Sequence, residues 1–294
     1  MFSIVKNRKI WFTISGILVV GSIVLFAVWG LNPGIDFTGG SLLEVHFTEA
    51  PDGPAVVEAV SGGQWGDVQA QPAGEGNILI RSQEIDNNQK NALEDRLREK
   101  FGELEELRFE TIGPTIGAEL RQKSVWAIAI VLIAIVAYVA YAFRKVSGPI
   151  ASWKFGVCAI VALAHDVLIA IGIFVLLGMY LNVEVDTLFV VALLTILGYS
   201  VNDTIVVFDR VRDVLLKEDL PFEEAADKGL RKTIVRSLNT SLTTLFVLLA
   251  IFLFGGETIR WFIFALIIGI VVGTYSSIFI ATPLLVAWQK WRGR

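Results

Sequence analysis

IVALAHDVLIAIGIF at 160–174 and ILGYSVNDTIVVF at 196–208 decide how this chain reads. Each is an apolar run of the kind that crosses a bilayer. Each carries a carboxylate about half-way along, Asp166 in the first and Asp203 in the second. An acid at that depth costs roughly 2.5–3.5 kcal/mol or more, so such residues face a bundle interior and mark ion or proton routes.

The composition agrees with a membrane setting. Of 294 residues 54% are hydrophobic, and the mean hydropathy is +0.63. That describes a polytopic α-helical membrane protein rather than a soluble globule. A span needs about 20 residues to cross a core about 30 Å thick. Six runs suffice: Ile10–Trp29, Val125–Phe143, Phe155–Leu177, Leu188–Phe208, Leu238–Phe254 and Trp261–Trp288. The last is long enough to tilt. The first follows a basic start, but it is too long for a signal peptide and lacks a small-residue cleavage site, so it reads as a retained span. Cys158 is the single cysteine and lies within span three, so no intrachain disulfide is possible.

Lysine and arginine set the orientation. Lys6, Arg8 and Lys9 precede span one. Arg144, Lys145 and Lys154 lie between spans two and three. Seven basic residues from Arg210 to Arg236 lie between spans four and five, and Lys290, Arg292 and Arg294 follow span six. The alternate short loops hold only Arg260. All four basic stretches fall on one side, which predicts cytoplasmic N- and C-termini.

The predicted organisation is therefore N-terminus and span one (1–30), an extracytoplasmic domain (31–124), spans two to four (125–208), a cytoplasmic loop (209–237), and spans five and six with the C-terminus (238–294). Residues 31–124 carry seventeen acids and eight bases. Their pattern gives a strand at the end of Gly34–Phe47, a helix at Pro54–Val60, and strands at Asp67–Gln71 and Ile78–Arg81 around the turn-rich PAGEGN. An amphipathic helix at Asn88–Phe101 and a strand at Leu107–Ile112 follow. The order β-α-β-β-α-β is ferredoxin-like. Ile116–Ser124 reads as a helix leading into span two. In 209–237 the pattern of Val211, Val214, Leu215, Phe222, Ala225 and Ala226 predicts short amphipathic helices lying along the membrane. No phosphate-binding glycine motif occurs, which argues against ATP as the chain's own energy source.

Polar residues inside the spans carry the functional reading. Thr195, Tyr199, Asn202 or Asp203, Val206 and Arg210 recur at spacings of three and four and share a face. Burial disfavours the charged form of an acid, so Asp203 can take and release a proton near neutral pH. Arg236, at the start of span five, is the expected partner that would favour its ionised form, with Thr240 and Thr244 on the same face and Ser237 and Ser241 beside them. His165 and Asp166 form a second candidate relay. They point about 100° apart, so one of them is expected on the pathway, and a structural pairing with span four is an equal alternative. Gly269, Gly273, Ser276 and Ser277 read as a close packing face without chemistry. Gly34, Asp36, Gly39 and Gly40 in GIDFTGG read as a shaped junction after span one.

Taken together, GIDFTGG at 34–40, HDV at 165–167, GYSVNDTIVVFDRVR at 198–212 and RSLNTSLTT at 236–244 resemble the SecD–SecF family of bacterial protein export, on its SecF side. The family lies within the resistance-nodulation-division (RND) superfamily, and the resemblance covers the whole chain. It implies half of an RND-type bundle with no enzymatic activity and no cofactor. It implies use of the proton gradient to help draw preproteins outward after the SecA motor and the SecYEG channel have acted. It carries the proton-linked roles onto Asp203 and Arg236, with Gly198, Asp209 and Arg210 as further motif positions. It implies a separate SecD, the SecYEG channel, YajC and preproteins as partners in the bacterial cytoplasmic membrane, with membrane lipid around the spans and no nucleic acid. Two other classes share features with this reading. A half-transporter for a small molecule or lipid would share the fold, though a domain of about 90 residues leaves little room for a binding cleft. An intramembrane aspartyl protease would need its own motifs around the two acids, which here follow His165 and Asn202.

Overall fold

The structure, a computed structural model, describes residues 3–74, 76–142 and 152–292. Phe143, Arg144, Lys145 and Arg294, used above for the spans and basic loops, and Glu75 of the expected turn lie outside them. Two compact units form: Met1–Asn32 with Trp126–Arg294, and Pro33–Val125.

In chain order the elements are α1 (Arg8–Trp29), α2 (Ile35–Thr38), β1 (Gly40–Phe47), α3 (Gly53–Val60), β2 (Gln69–Pro72), β3 (Asn77–Ser82), α4 (Asn87–Phe101) and β4 (Leu104–Ile112). Then come α5 (Pro114–Ala142), α6 (Ser152–Leu181), α7 (Thr187–Lys217), α8 (Phe222–Phe254), α9 (Glu257–Ser276), a π-helical turn (Ser277–Ala281) and α10 (Thr282–Arg292). Among the described residues six helical stretches are long and apolar enough to cross a membrane: α1, α5, α6, α7, α8 and the run from α9 through α10. These match the six expected spans.

The Pro33–Val125 unit is an α+β fold. Its sheet has the order β2-β3-β1-β4 with every neighbour antiparallel, which is the ferredoxin-like arrangement. Alternation along β1 turns Leu43, Val45 and Phe47 inward. Across the register Leu43 faces Ile80 and Val45 faces Ile78. Val56 and Val60 of α3 and Leu93 and Leu97 of α4 complete one apolar core. Asp86 starts α4 with a capping box: its side chain accepts from the Gln89 amide while Gln89 reaches back, satisfying two otherwise orphaned donors.

In the other unit α6, α7 and α9–α10 are the inner helices, and α1, α5 and α8 expose most of their apolar surface. Small residues let the helices approach. A Cβ on Gly172 of α6 would stand 2.8 Å from the Ser22 Cα of α1, and one on Gly229 of α8 2.8 Å from the Val211 Cα of α7. Gly269 packs on Ile196, and Gly273 packs on Ser200.

The expected cytoplasmic loop is not a loop. α7 has 31 residues and α8 has 33, about 46 and 50 Å at 1.5 Å per residue, against a core of about 30 Å. Both helices run past membrane depth and leave only residues 218–221 to join them. The apolar spacing read as membrane-lying helices buries Val211, Val214, Ala225, Ala226 and Leu230, the first and last two in one core with Ile4, Val5, Ile278 and Val286. Lys228 and Lys232 reach Glu218 across its tip at 2.5 and 3.4 Å.

Candidate functional site

α7 enters at Asp186, whose side chain caps the Phe189 amide at 2.9 Å, and runs unbroken through Asp203. Asp203 is half-buried and faces two hydroxyls. Ser237 Oγ of α8 donates to its Oδ1 at 2.6 Å, and Ser277 Oγ of the π turn donates to its Oδ2. Both partners are neutral. A hydroxyl can donate to a carboxylate or accept from a carboxylic acid, so this cage accommodates either protonation state. A fixed cation would hold the ionised form.

Asp166 of α6 is fully buried. Its Oδ2 accepts from Ser200 Oγ of α7 at 2.5 Å and from Ser276 Oγ of α9 at 2.9 Å, and its Oδ1 lies 2.9 Å from His165 Nδ1. His165 Nε2 is buried with no hydrogen-bond partner among the described residues. The imidazole stacks on Tyr275, whose hydroxyl accepts from Ser15 of α1 at 3.2 Å. His165 and Asp166, of which one was expected on the pathway, are both buried in one cluster. The pairing with span four occurs as well, through Ser200.

A third polar link ties the same helices. Tyr199 Oη donates to Ser241 Oγ at 3.1 Å, Ser241 Oγ meets Thr274 Oγ1 at 2.5 Å, and Thr274 Oγ1 donates to the Ile270 carbonyl at 2.7 Å.

The expected Asp203–Arg236 contact is absent. Arg236 is exposed and makes no ion pair among the described residues, while its neighbour Ser237 is buried and takes Asp203 instead. The reason is rotational: consecutive helical residues diverge by about 100°, and the face of α8 that meets α7 is that of Ser237 and Ser241. The supposed single polar face of α7 also divides. Tyr199, Ser200 and Asp203 bond inward, whereas Thr195, Gly198, Asn202, Asp209 and Arg210 are exposed, as is Thr240 on α8. Asp209 pairs with Arg212 and Arg210 with Asp213, each at 3.6 Å.

Ser276 and Ser277 correct the sequence reading in the other direction. Gly269 and Gly273 do form a packing face, but the two serines next to it are donors to the two carboxylates. Ser200 was missed entirely. The available signal was a pair of hydroxyl residues in an apolar run beside Tyr275, and a serine three residues before Asp203.

GIDFTGG has a different task. Gly39 and Gly40 have φ of 76° and 119°, which side-chain-bearing residues rarely adopt. A Cβ on Gly39 would stand 2.8 Å from the Pro114 Cα, and one on Gly40 2.7 Å from the Ser82 carbonyl oxygen. Gly34 is buried, and Thr38 Oγ1 donates to its carbonyl at 3.0 Å. Asp36 lies half-buried in α2. Two backbones cross closely here, within Pro33–Val125.

Comparison with known proteins places this geometry. The family described as "Protein export membrane protein SecD/SecF, C-terminal" matches residues 92–291, and "SecD/SecF GG Motif" matches residues 24–51. Protein translocase subunit SecF from Thermobaculum terrenum is 42% identical, over 99% of this chain and 95% of that one. The protein of the same name from Anaerolinea thermophila is 40% identical, over 99% and 96%. Among solved structures, SecDF from Thermus thermophilus, a translocon-associated membrane protein, superposes with a TM-score of 0.87 at 32% identity. That match covers 98% of this chain and 39% of the SecDF chain. With the membrane bundle, the glycine-bounded crossing at 39–40 and full-length identity all agreeing, the chain belongs to the SecD/SecF family of protein-export membrane proteins, on its SecF side.

Proposed function

We propose that the chain is a SecF-type subunit of a protein translocase. With a second six-span half of SecD type, it uses the proton motive force to assist preprotein export across the cytoplasmic membrane. Asp203 is the proton carrier. The observation behind this assignment is the cage of two neutral hydroxyls, Ser237 from α8 and Ser277 from the π turn, around a carboxylate at membrane depth.

The energetics suit the task. Moving one charge through 100 mV is worth about 2.3 kcal/mol. A hydrogen bond to a charged group contributes about 1.5–3 kcal/mol. Neutralising Asp203 weakens two such bonds, so one proton is matched in scale to loosening the packing of α8 and the π turn on α7.

The open face of the bundle supports the partnership. Gly198, Asn202, Arg236 and Thr240 are exposed at or near membrane depth. Polar groups left against lipid are costly. Gly198 is surrounded by open space, although glycine within a helix costs about 1 kcal/mol relative to alanine. A closely packed helix from the second half accounts for both, and Arg236 then acts across that interface. The SecYEG channel, YajC and the preprotein are the further partners. The basic loops support cytoplasmic termini, with residues 31–124 outside.

Inverted membrane vesicles depleted of this chain and then restored with it test the function. Restored vesicles should release preprotein faster, and an uncoupler should remove the gain. A gain that persists undiminished with uncoupler contradicts gradient coupling.

A further inference from the structure

Ser276 and Ser277 are consecutive, and they stand where α9 passes into the π turn. Ser276 Oγ lies 2.9 Å from Asp166 Oδ2 and 3.1 Å from the Gly273 carbonyl oxygen. Ser277 Oγ bonds Asp203 Oδ2 and lies 3.0 Å from the Thr274 carbonyl oxygen. Each hydroxyl has a single proton, so it can donate to its carboxylate or to the carbonyl three residues back, not to both. An ionised carboxylate draws that proton. A protonated carboxyl instead donates its own O–H to the serine oxygen, and the serine proton turns to the backbone carbonyl.

Those two carbonyls sit at the α-to-π junction, where the Ser277 amide also bonds the Gly273 carbonyl. π turns are rare and concentrate at functional sites. Here the turn presents two successive side chains to two acids on different helices, Asp166 of α6 and Asp203 of α7.

We propose that Ser276 and Ser277 are positioning residues that couple the protonation of Asp166 to that of Asp203 through the α-to-π junction. Protonation of Asp203 turns Ser277 onto the Thr274 carbonyl. The junction readjusts, and the donor that Ser276 offers Asp166 changes with it. Asp166 acts back on Asp203 by the same route. Around the pair, α6 supplies His165, α9 supplies Tyr275 and α7 supplies Tyr199. Arg236 of α8 is exposed, and α1 brings only the hydroxyls of Ser15 and Ser22 to its buried face. The inference rests on Asp203 being the proton carrier.

Infrared titration of the full chain, purified from native membranes with its associated subunits in lipid nanodiscs, tests it. The Asp203 carboxyl band is isolated by subtracting the spectrum of Asp203→Asn. Asp166→Asn should move the Asp203 midpoint by about one pH unit, the interaction at which two sites titrate as a pair. Ser276→Ala should remove most of that dependence. Ser200→Ala, which also takes a donor from Asp166 but lies outside the junction, should leave it. If Ser276→Ala does not insert, Ser276→Cys, with a weaker donor, should show the same ordering. A shift of equal size with and without the Ser276 hydroxyl would mean direct charge interaction and would overturn the proposal, as would a titrating Asp203 indifferent to Asp166→Asn. Absence of any Asp203 carboxyl band would overturn the proton-carrier reading and this inference with it.

Discussion

Ser237 Oγ donates to Asp203 Oδ1 at 2.6 Å, and this contact, with Tyr199–Ser241, joins the two motifs, on α7 and α8, that the family resemblance singles out. The partner of the acid is the residue after the arginine, not the arginine itself. Ser237→Ala removes one of two donors, at a cost of about 1–3 kcal/mol for the group left unsatisfied. We expect a lower thermal midpoint in detergent and reduced gradient-dependent release, whereas Ser237→Thr, which keeps the hydroxyl, should recover both. Equal behaviour of the alanine and threonine variants would show that the hydroxyl is idle.

The open face of α7 gives a second expectation. A Cβ on Gly198 meets nothing within 4 Å among the described residues, so with Gly198→Leu the isolated subunit should keep its stability while recovery of a second six-span half on co-purification falls. Arg236→Leu should also weaken that association, and Arg236→Lys should partly keep it. Undiminished recovery in both Gly198→Leu and Arg236→Leu would place the interface elsewhere. Gly39→Ala is the contrasting case, since its Cβ would collide with backbone inside Pro33–Val125. That variant should lose stability directly.

The start of the chain is latched to α8. Asp227 Oδ1 accepts from Ser3 Oγ at 2.9 Å, from the Ile4 amide at 3.0 Å and from the Val5 amide at 3.3 Å. Its Oδ2 holds Arg231 at 2.9 Å. Asp227→Ala should raise amide exchange at Ile4 and Val5 by about tenfold or more, on about 1.4 kcal/mol per factor of ten. Unchanged exchange there would mean that the latch is held by Val5 packing alone.

In the Pro33–Val125 unit Lys90 and Glu106 contribute a pH dependence. Their mutual hydrogen bond raises the Lys90 ammonium above its ordinary value and lowers the Glu106 carboxyl below its own. The lowered acid stabilises above the usual carboxylate range and loses that contribution as pH falls through its folded value. The raised base contributes below the usual lysine range and loses it as pH rises through its folded value. Stability of this unit, followed by amide exchange in β4, should therefore be flat from about pH 5 to 10 and fall beyond both ends. Glu106→Gln should flatten the acid limb. An acid limb unchanged in that variant would assign it to another carboxylate.

Much of this was readable from the residues. Long apolar runs with a core of about 30 Å to cross permit little besides spanning helices, and period-two alternation at Leu43, Val45 and Phe47 marks a strand whatever surrounds it. Neighbours across space were not readable. The spacing of Arg236, Thr240 and Thr244 shows that they share a face but not what that face meets, so Arg236 was paired with an acid that Ser237 in fact takes. Val211 and Ala226 were assigned to the membrane surface because an apolar stripe looks the same against lipid or against another helix. In sequence Ser276 and Ser277 read as small packing residues, because serine in a span is both small and a donor, and only the positions of Asp166 and Asp203 decide which property is used.

The central claim is that Asp203 carries the proton. Asp203→Asn keeps the shape and the hydrogen-bonding cage and removes the titration, so its expression and its subunit recovery serve as internal controls. The measurement is preprotein release from inverted vesicles with and without an uncoupler. The account predicts that Asp203→Asn vesicles release at the uncoupled rate whether or not the gradient is present. Full gradient-dependent stimulation in Asp203→Asn would contradict it.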